Sequence, residues 1–433
     1  MRITLDQGLY ELCSKRTGKK INREEEFQKY REEELSNTIK YAYEHSRFYK
    51  KMMDDHQIDP SSIKKIEDLQ KLPFTFPDDL RGKNYEFLCT SQGKVERPVT
   101  FFSSGTTGIK KRIFFSKNDV KHIMEYISRA MNVIADNDDT RALSLIANSQ
   151  GRGASSLYCQ SLALVGMQGY PMEIEADSKE IVRKSKEHKC NVWFGDVITI
   201  NRVAKEMSPW MDMKSLGLKL LFVTMGNVSE SMKKYLEDVY GCEVLTHYGL
   251  TEAGWGFAID CRGSVGYQYN ELDVIVEIID PETGKRLEKG EEGEITITTI
   301  GRESMPLIRY RTGDISAFLK GTASKNRKEL KHIIRRLEGC YQTRNGQLLY
   351  PAILEEILFK DESVIDYRPY VKNDRLKIQI ESMDCSERKK EKIRENLRQD
   401  EVIVSMEIPV EVELLPAGSL RKYCYEKKTI ITS

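Results

Sequence analysis

The stretch VTFFSSGTTGIKKRIFFS, residues 99–116, sets hydroxyl residues and glycines side by side, follows them with cations and closes on an apolar run. Ser103, Ser104, Thr106 and Thr107 supply hydroxyl donors, Gly105 and Gly108 let backbone N–H groups come close, and Lys111 adds charge. That set suits a polyphosphate. The plainer reading is a solvated loop, since Ser, Thr and Gly favour turns. Two familiar phosphate motifs are excluded. Only two residues separate Gly105 from Gly108 and Arg112 follows Lys111, which does not fit a Walker loop. No G-x-G-x-x-G opens a helix here, which removes the dinucleotide fingerprint.

Such a loop needs flanking elements to hold it. From about residue 97 to 250, short apolar runs (ALSLIA, NVWF, LKLLFVTMG, EVLTHYG) alternate with helical patterns such as KNDVKHIMEYISRAMNVI and SESMKKYLEDVY. That alternation predicts a covered α/β sheet. Ahead of it, residues 23–56 read as a charged helix with an apolar stripe of Ile39, Tyr43 and Phe48, ended by the prolines of KLPFTFPDDL. DVIVEIID and GEITITTI, joined by a turn-rich connection, are period-two strands of a β-rich subdomain. Beyond Arg335–Gly339, helices at PAILEEILFK and SERKKEKIRENLRQ and strands near VIDYRPYV, LKIQIE and VEVELL suffice for a small α+β domain. The expectation is an α/β fold with a large N-terminal domain, residues 1–335, and a small mobile C-terminal α+β domain, residues 336–433.

A chain of 433 residues has room for more than one core. With 68 basic against 67 acidic residues it offers no global field for nucleic acid or an anionic membrane. The nine cysteines include no CxxC pair and the N-terminal MRITLDQGLYELCSK lacks a signal-peptide core. No stretch reaches the length of a spanning helix. The expectation is a cytoplasmic protein with free thiols. The residues leave the oligomeric state open, a homodimer being one option.

Read in order, SSGTTGIKK, THYGLTEAGWG and MPLIRYRTGD resemble the phosphate loop, the Tyr-Gly-Thr-Glu segment and the ribose-binding segment of the adenylate-forming superfamily. These are the acyl- and aryl-CoA ligases, luciferases and peptide-synthetase adenylation domains. PLIRYRTGDIS, the preceding DPETG and the compact length are most similar to the phenylacetate-CoA ligase branch. The resemblance implies that His247, Tyr248, Gly249 and Thr251 meet the nucleotide, with Tyr248 stacking on adenine. It implies Glu252, with Thr106, as ligands of magnesium, and Asp314 as the acceptor of both ribose hydroxyls. On their own, Glu252 would serve as a surface carboxylate and Asp314 as a turn or cap residue. Gly226 and Asn227 fall where the family's adenine-binding residues sit, although its usual acidic residue is replaced. Arg311 is a candidate support for the site.

The implied reaction is attack of a carboxylate on the α-phosphate of ATP, giving an acyl-adenylate and pyrophosphate, followed by displacement of AMP by the thiol of coenzyme A. Lys111 and Glu252 are the implied catalytic groups, with a C-terminal lysine. Strict spacing lands on Glu426, and one inserted residue selects Lys427 over Lys422 and Lys428. The plainer reading leaves these lysines on a frayed terminus. Trp193, Phe194, Met225 and Trp255 are candidate pocket walls for an aromatic or apolar small-molecule carboxylic acid, each also suited to plain core. Asp196 is either a partner of a substrate amine or an N-cap.

Departures from the family pattern limit these implications. Relatives carry zinc on a cysteine, a histidine and a Cys-x-Cys pair. Here Cys261 is present, but Gln268 replaces the histidine and KGTASKNRKEL has no cysteine, so no zinc site is expected. At the hinge, Cys340 follows Gly339 and no Asp stands nearby, leaving Arg336 to keep part of that role. Transfer to a carrier-protein thiol or an amine, or a degenerate nucleotide-binding protein, are the alternatives.

Overall fold

A computed structural model describes residues 4–101, 111–135, 139–146, 153–173, 176–321, 328–421 and 428–432. It has the mixed α/β architecture expected from the sequence, and the chain divides into two compact units. Residues 1–134 and 248–332 form one, residues 135–247 and 333–433 the other. The division at His332/Ile333 groups residues 333–433 with residues 135–247.

The first unit opens with a helix the sequence reading did not anticipate, Leu5–Thr17. Thr4 caps it in a reciprocal box, accepting from the Gln7 N–H (3.3 Å) while the Gln7 amide oxygen accepts from the Thr4 N–H (2.8 Å). The single charged helix expected over 23–56 is two, Glu24–His45 and Arg47–Asp55. Ser46 caps the second by accepting from the Tyr49 N–H. The restart shifts the apolar stripe, so Tyr49 rather than Phe48 is fully enclosed. The strand Val95–Phe101 pairs antiparallel with Lys111–Ser116, flanking the hydroxyl-glycine segment. The β-rich part is an antiparallel sheet of Val274–Ile279, Gly293–Thr299 and Tyr310–Ser316.

The second unit holds five stretches paired in parallel, in the order 243–246, Leu220–Thr224, Val192–Asp196, Arg141–Leu145, Gln168–Pro171, the first belonging to the strand Glu243–Leu250. The continuous burial of the central strands Val192–Asp196 and Leu220–Thr224 is that of a sheet covered on both faces. Val364–Lys372, Arg375–Ser382 and Val410–Pro416 form a second sheet, with Ile431–Thr432 parallel to the first of these strands. One core runs from Leu143 and Trp193 to Leu354, Tyr367 and Ile430. A buried ion pair of Arg202 with Glu381 crosses it. Glu381 also accepts the N–H groups of Gly418 and Leu420, at 2.8 Å each. Asn201 donates to the carbonyls of Val364 and Ile365.

Glu355, on the helix Pro351–Leu358, accepts from Asn227 at 2.9 Å and from the Tyr367 hydroxyl at 3.0 Å. Burial outweighs these bonds and lifts its carboxyl from the ordinary 4.5 to about 7. A raised carboxyl stabilises the fold fully below its unfolded value and loses that contribution as pH rises through the folded value. The wild type is therefore expected to lose about 3 kcal/mol relative to Glu355→Gln between pH 4.5 and pH 8, as read by urea unfolding. Parallel pH profiles for the two proteins would contradict the burial of this group.

Candidate active site

The strand Tyr310–Ser316 organises the first unit's polar centre. Tyr310, Thr312 and Asp314 are buried in alternation with the less enclosed Arg311 and Gly313. Arg311 and Gly313 turn to Glu294. The Arg311 Nε donates to Glu294 Oε2 at 2.7 Å and the Gly313 N–H to Oε1 at 2.9 Å. Pairing with Gly293–Thr299 shifts register at this point. Gly313 takes a φ of +76°, a left-handed geometry that favours glycine within a bulge. Arg311 thus braces the sheet through Glu294 and the carbonyl of Pro281 rather than entering the polar centre.

At the buried positions of this strand lie two small networks. The Tyr248 hydroxyl donates to Asp314 Oδ2 at 2.6 Å, so the two residues separately expected to meet adenine and ribose are hydrogen-bonded. The Tyr248 ring, 9% exposed, packs edge-on against Phe257. The other network joins Lys111 and Glu252 in an ion pair. The Tyr310 hydroxyl donates to Glu252 Oε1 at 2.9 Å and accepts from the Lys111 ammonium at 3.0 Å. Glu252 lies in a single tight turn, Thr251–Ala253, closed by Gly254 at φ +99°. Its carbonyl accepts from Arg302 Nη1 at 2.5 Å. The Arg302 guanidinium stands over the Phe115 ring, and burial lowers its pKa.

The sequence pointed to Lys111, Glu252, Tyr248 and Asp314, which the fold groups in these two pairs. It missed Tyr310 and Arg302, although for Tyr310 the LIRYRTGD run carried the signal: its alternation sends every second residue to one face. Gly249 lies exposed on its strand and Thr251 opens the tight turn. Ser103, Ser104, Gly105, Thr106, Thr107 and Gly108 lie outside the described residues, as do Lys422 and Lys427. Lys428 is described. Its ammonium pairs with Asp366 and donates to the Tyr367 carbonyl.

The second unit places His247 beside Thr224, Nδ1 to Oγ1 at 3.0 Å. Phe194 and Phe222 pack edge-on against the His247 ring, and burial drops its pKa to about 4, so it is neutral at physiological pH. Asn227 reaches Glu355, as described, and Gly226 approaches Val197 closely enough that a Cβ would stand 3.1 Å from its methyl group. Met225, just before Gly226, is 46% exposed at a left-handed φ of +67°. Trp193 is fully enclosed, its N–H on the Ser185 hydroxyl at 2.8 Å and its ring against Tyr240. It is a core residue, because strand alternation sends it to the face opposite Phe194. Asp196 caps the helix Val197–Met207 through the Thr199 N–H and hydroxyl, both at 2.8 Å. Arg336 lies in a two-residue strand, and its carbonyl faces the Cys340 thiol at 3.0 Å.

In the first unit, Trp255 sits at φ +61°, with its ring on Phe115 and the Arg97 guanidinium 4.5 Å from its centroid. Cys261 and Gln268 are both buried. Among the described residues, no three His, Cys, Asp or Glu side chains are grouped to hold a metal, and no helix is long and apolar enough to cross a membrane.

An acidic turn residue paired with a cation beside a tyrosine–aspartate pair is an arrangement suited to a phosphorylated nucleotide. The chain belongs to the AMP-binding enzyme family, which it matches over residues 53–302. Within that family it falls in the phenylacetate-CoA ligase-like branch of AMP-forming acid–CoA ligases. It is 26% identical to the phenylacetate-coenzyme A ligase of Thermus thermophilus, over 78% of this chain and 76% of that protein. To the enzyme of the same name from Escherichia coli it is 27% identical over 84% of each. The fold is similar to that of 2-hydroxyisobutyryl-CoA ligase in complex with 2-HIB-AMP, at 19% identity and a TM-score of 0.79, covering 93% of this chain and 89% of that one.

The Lys111–Glu252 pair is testable without any ligand. In a double-mutant cycle of Lys111→Met and Glu252→Gln, urea unfolding is expected to give a coupling of about 0.5–3 kcal/mol. Additive effects would show that the pair does not form in solution.

Proposed function

We propose that the protein activates a small aromatic carboxylic acid with ATP and passes the acyl group to coenzyme A. The reading is carried by one observation: the clustering of Lys111, Glu252 and Tyr310 in the same unit as the Tyr248–Asp314 pair. Tyr248 stacks on adenine, and its hydroxyl holds Asp314 ready to accept the ribose hydroxyls. Gly226, Asn227 and His247 line the base, His247 as a neutral imidazole.

Magnesium fits the donor set present, because the Glu252 carboxylate already receives a cation, the Lys111 ammonium. One carboxylate plus substrate phosphates is the usual provision for this ion. Glu252 and Thr106 would hold it, and its contribution is charge neutralisation across the phosphates. Ser103, Ser104, Thr107 and the amides of Gly105 and Gly108 cradle the phosphates. Lys111 moves onto them as charge builds at the α-phosphorus. The substrate carboxylate oxygen attacks that phosphorus, the bond to the pyrophosphate oxygen breaks, and the acyl-adenylate remains. Lys427 neutralises the attacking carboxylate. The thiol of coenzyme A then attacks the acyl carbon, losing its proton, and AMP leaves. Residues 336–433 act as the lid that re-poses between the two steps, with Arg336 at the hinge. Phe194, Met225 and Trp255 shape the acid's surroundings. ATP and coenzyme A as co-substrates fit a cytoplasmic setting.

The test is acid-dependent ATP–pyrophosphate exchange across aryl, fatty and amino acids, followed by offering coenzyme A, a carrier-protein thiol or an amine to the preformed adenylate. Exchange with aryl acids and thioester formation with coenzyme A are expected. Exchange without thioester would move the acceptor to one of the others, and no exchange with any acid would leave only nucleotide binding. Lys427→Ala is expected to cripple exchange while sparing thioester formation from a supplied acyl-adenylate. Equal loss of both steps would remove Lys427 from the adenylation role.

A further inference from the structure

We propose that Tyr310 is a positioning residue for the metal–nucleotide complex: its phenol sets the orientation in which Glu252 takes the cation, and it shares with Glu252 the Lys111 ammonium that the cation displaces. This rests on the reading of Glu252 as a magnesium ligand. A phenol has one proton to give and lone pairs to receive, and Tyr310 uses both, donating to Glu252 Oε1 at 2.9 Å and accepting from Lys111 Nζ at 3.0 Å. The ammonium and the phenol converge on the same carboxylate oxygen, which fixes the plane of the carboxylate as well as its charge.

The phenol can orient others because its own place is over-determined. Tyr310 is 1% exposed. The backbone on either side is pinned to Thr75, whose N–H donates to the Arg309 carbonyl at 3.0 Å and whose carbonyl accepts from the Arg311 N–H at 2.9 Å. Arg309 holds a left-handed φ of +46°, which a residue other than glycine rarely adopts unless held there. Its guanidinium is fixed by both oxygens of Glu277, at 3.1 Å each, and by the Leu72 carbonyl at 2.8 Å. Glu252 is gripped at its other end as well, its carbonyl on Arg302. Only the Lys111 side chain, 20% exposed, is a long flexible arm, so it is the member that leaves when a divalent cation arrives. The cation thereby frees Lys111 for the phosphates, and Tyr310 keeps Glu252 aimed during the exchange.

The experiment is calorimetric binding of ATP over a range of magnesium concentrations, to the full-length wild type and to Tyr310→Phe, which removes one oxygen and keeps the ring. Loss of a group that orients a metal ligand typically weakens metal binding about 10–100-fold. The magnesium needed for half-maximal enhancement of ATP affinity is expected to rise by about that factor, while ATP affinity without magnesium stays within about twofold. Pyrophosphate exchange should recover at saturating magnesium, which a misfolded variant would not do, and an unchanged urea-unfolding midpoint separates the effect from destabilisation. A magnesium requirement within about threefold of wild type would overturn the proposal.

Lys111→Met gives a second reading that holds even if Tyr310→Phe does not fold. With the competing ammonium gone, the magnesium requirement should fall. An unchanged or higher requirement overturns the displacement. Glu252→Gln separates this failure from failure of the underlying reading. If that variant keeps the wild-type response to magnesium, Glu252 is not the ligand. If it loses the response while Tyr310→Phe keeps it, the ligand stands and the role of Tyr310 falls.

Discussion

A buried carboxylate is expensive to desolvate unless cations and donors meet it, and Glu252 is 4% exposed. Much of the first unit can be understood as the means of meeting it. Lys111 comes from the strand after the hydroxyl-glycine segment, Tyr310 from the antiparallel sheet and Arg302 from the turn before it, so three separated stretches converge on one turn residue. The same strand that delivers Tyr310 delivers Asp314 to Tyr248 two alternations later. A slip of one residue would turn Tyr310 and Asp314 away together and bring Arg311 and Gly313 in. The bulge at Gly313 and the grip of Glu294 on Arg311 and Gly313 hold the register.

The second unit solves a different electrostatic problem. Two of its parallel strands end at Asp196 and Thr224, and His247 lies in the C-terminal half of a third, the side where open α/β sheets present ligand sites. Asp196 is satisfied as a helix cap, and burial still lifts its carboxyl to about 6. His247 is kept neutral by aromatic neighbours. Asp366 carries the Lys428 ammonium while Glu355 takes Asn227 and Tyr367. The C-terminal residues are thus tied to residues 196–227 by polar contacts in a largely apolar core.

The elements with a strong period were legible in the sequence. The helices Lys117–Ile134, Glu230–Tyr240 and Glu387–Gln399 and the paired strands Val274–Ile279 and Gly293–Thr299 lie where periodicity predicts them. The N-terminal helix was missed because its amphipathic signal is weak, although the Thr4–Gln7 box was readable. Ser46 split one expected helix in two because a serine can cap as easily as it continues. Glu252 and Asp314 were legible through the resemblance carried by THYGLTE and MPLIRYRTGD, since on their own they read as a surface carboxylate and a turn or cap residue. Tyr310 and Glu355 were not, because a tyrosine in a strand and a glutamate in a helix look ordinary until the fold buries them beside a charge. Trp193 was expected at a pocket and is core, since a parity of one residue decides which face of a covered strand it takes.

The proposed reaction begins with attack of a carboxylate oxygen on the α-phosphorus of ATP. The most direct measurement supplies an accepted acid labelled with oxygen-18 in its carboxylate, together with ATP, magnesium and coenzyme A, and reads the products by mass spectrometry. One labelled oxygen is predicted in AMP and none in pyrophosphate or inorganic phosphate. Label in inorganic phosphate, or unlabelled AMP formed alongside thioester, would contradict the assignment.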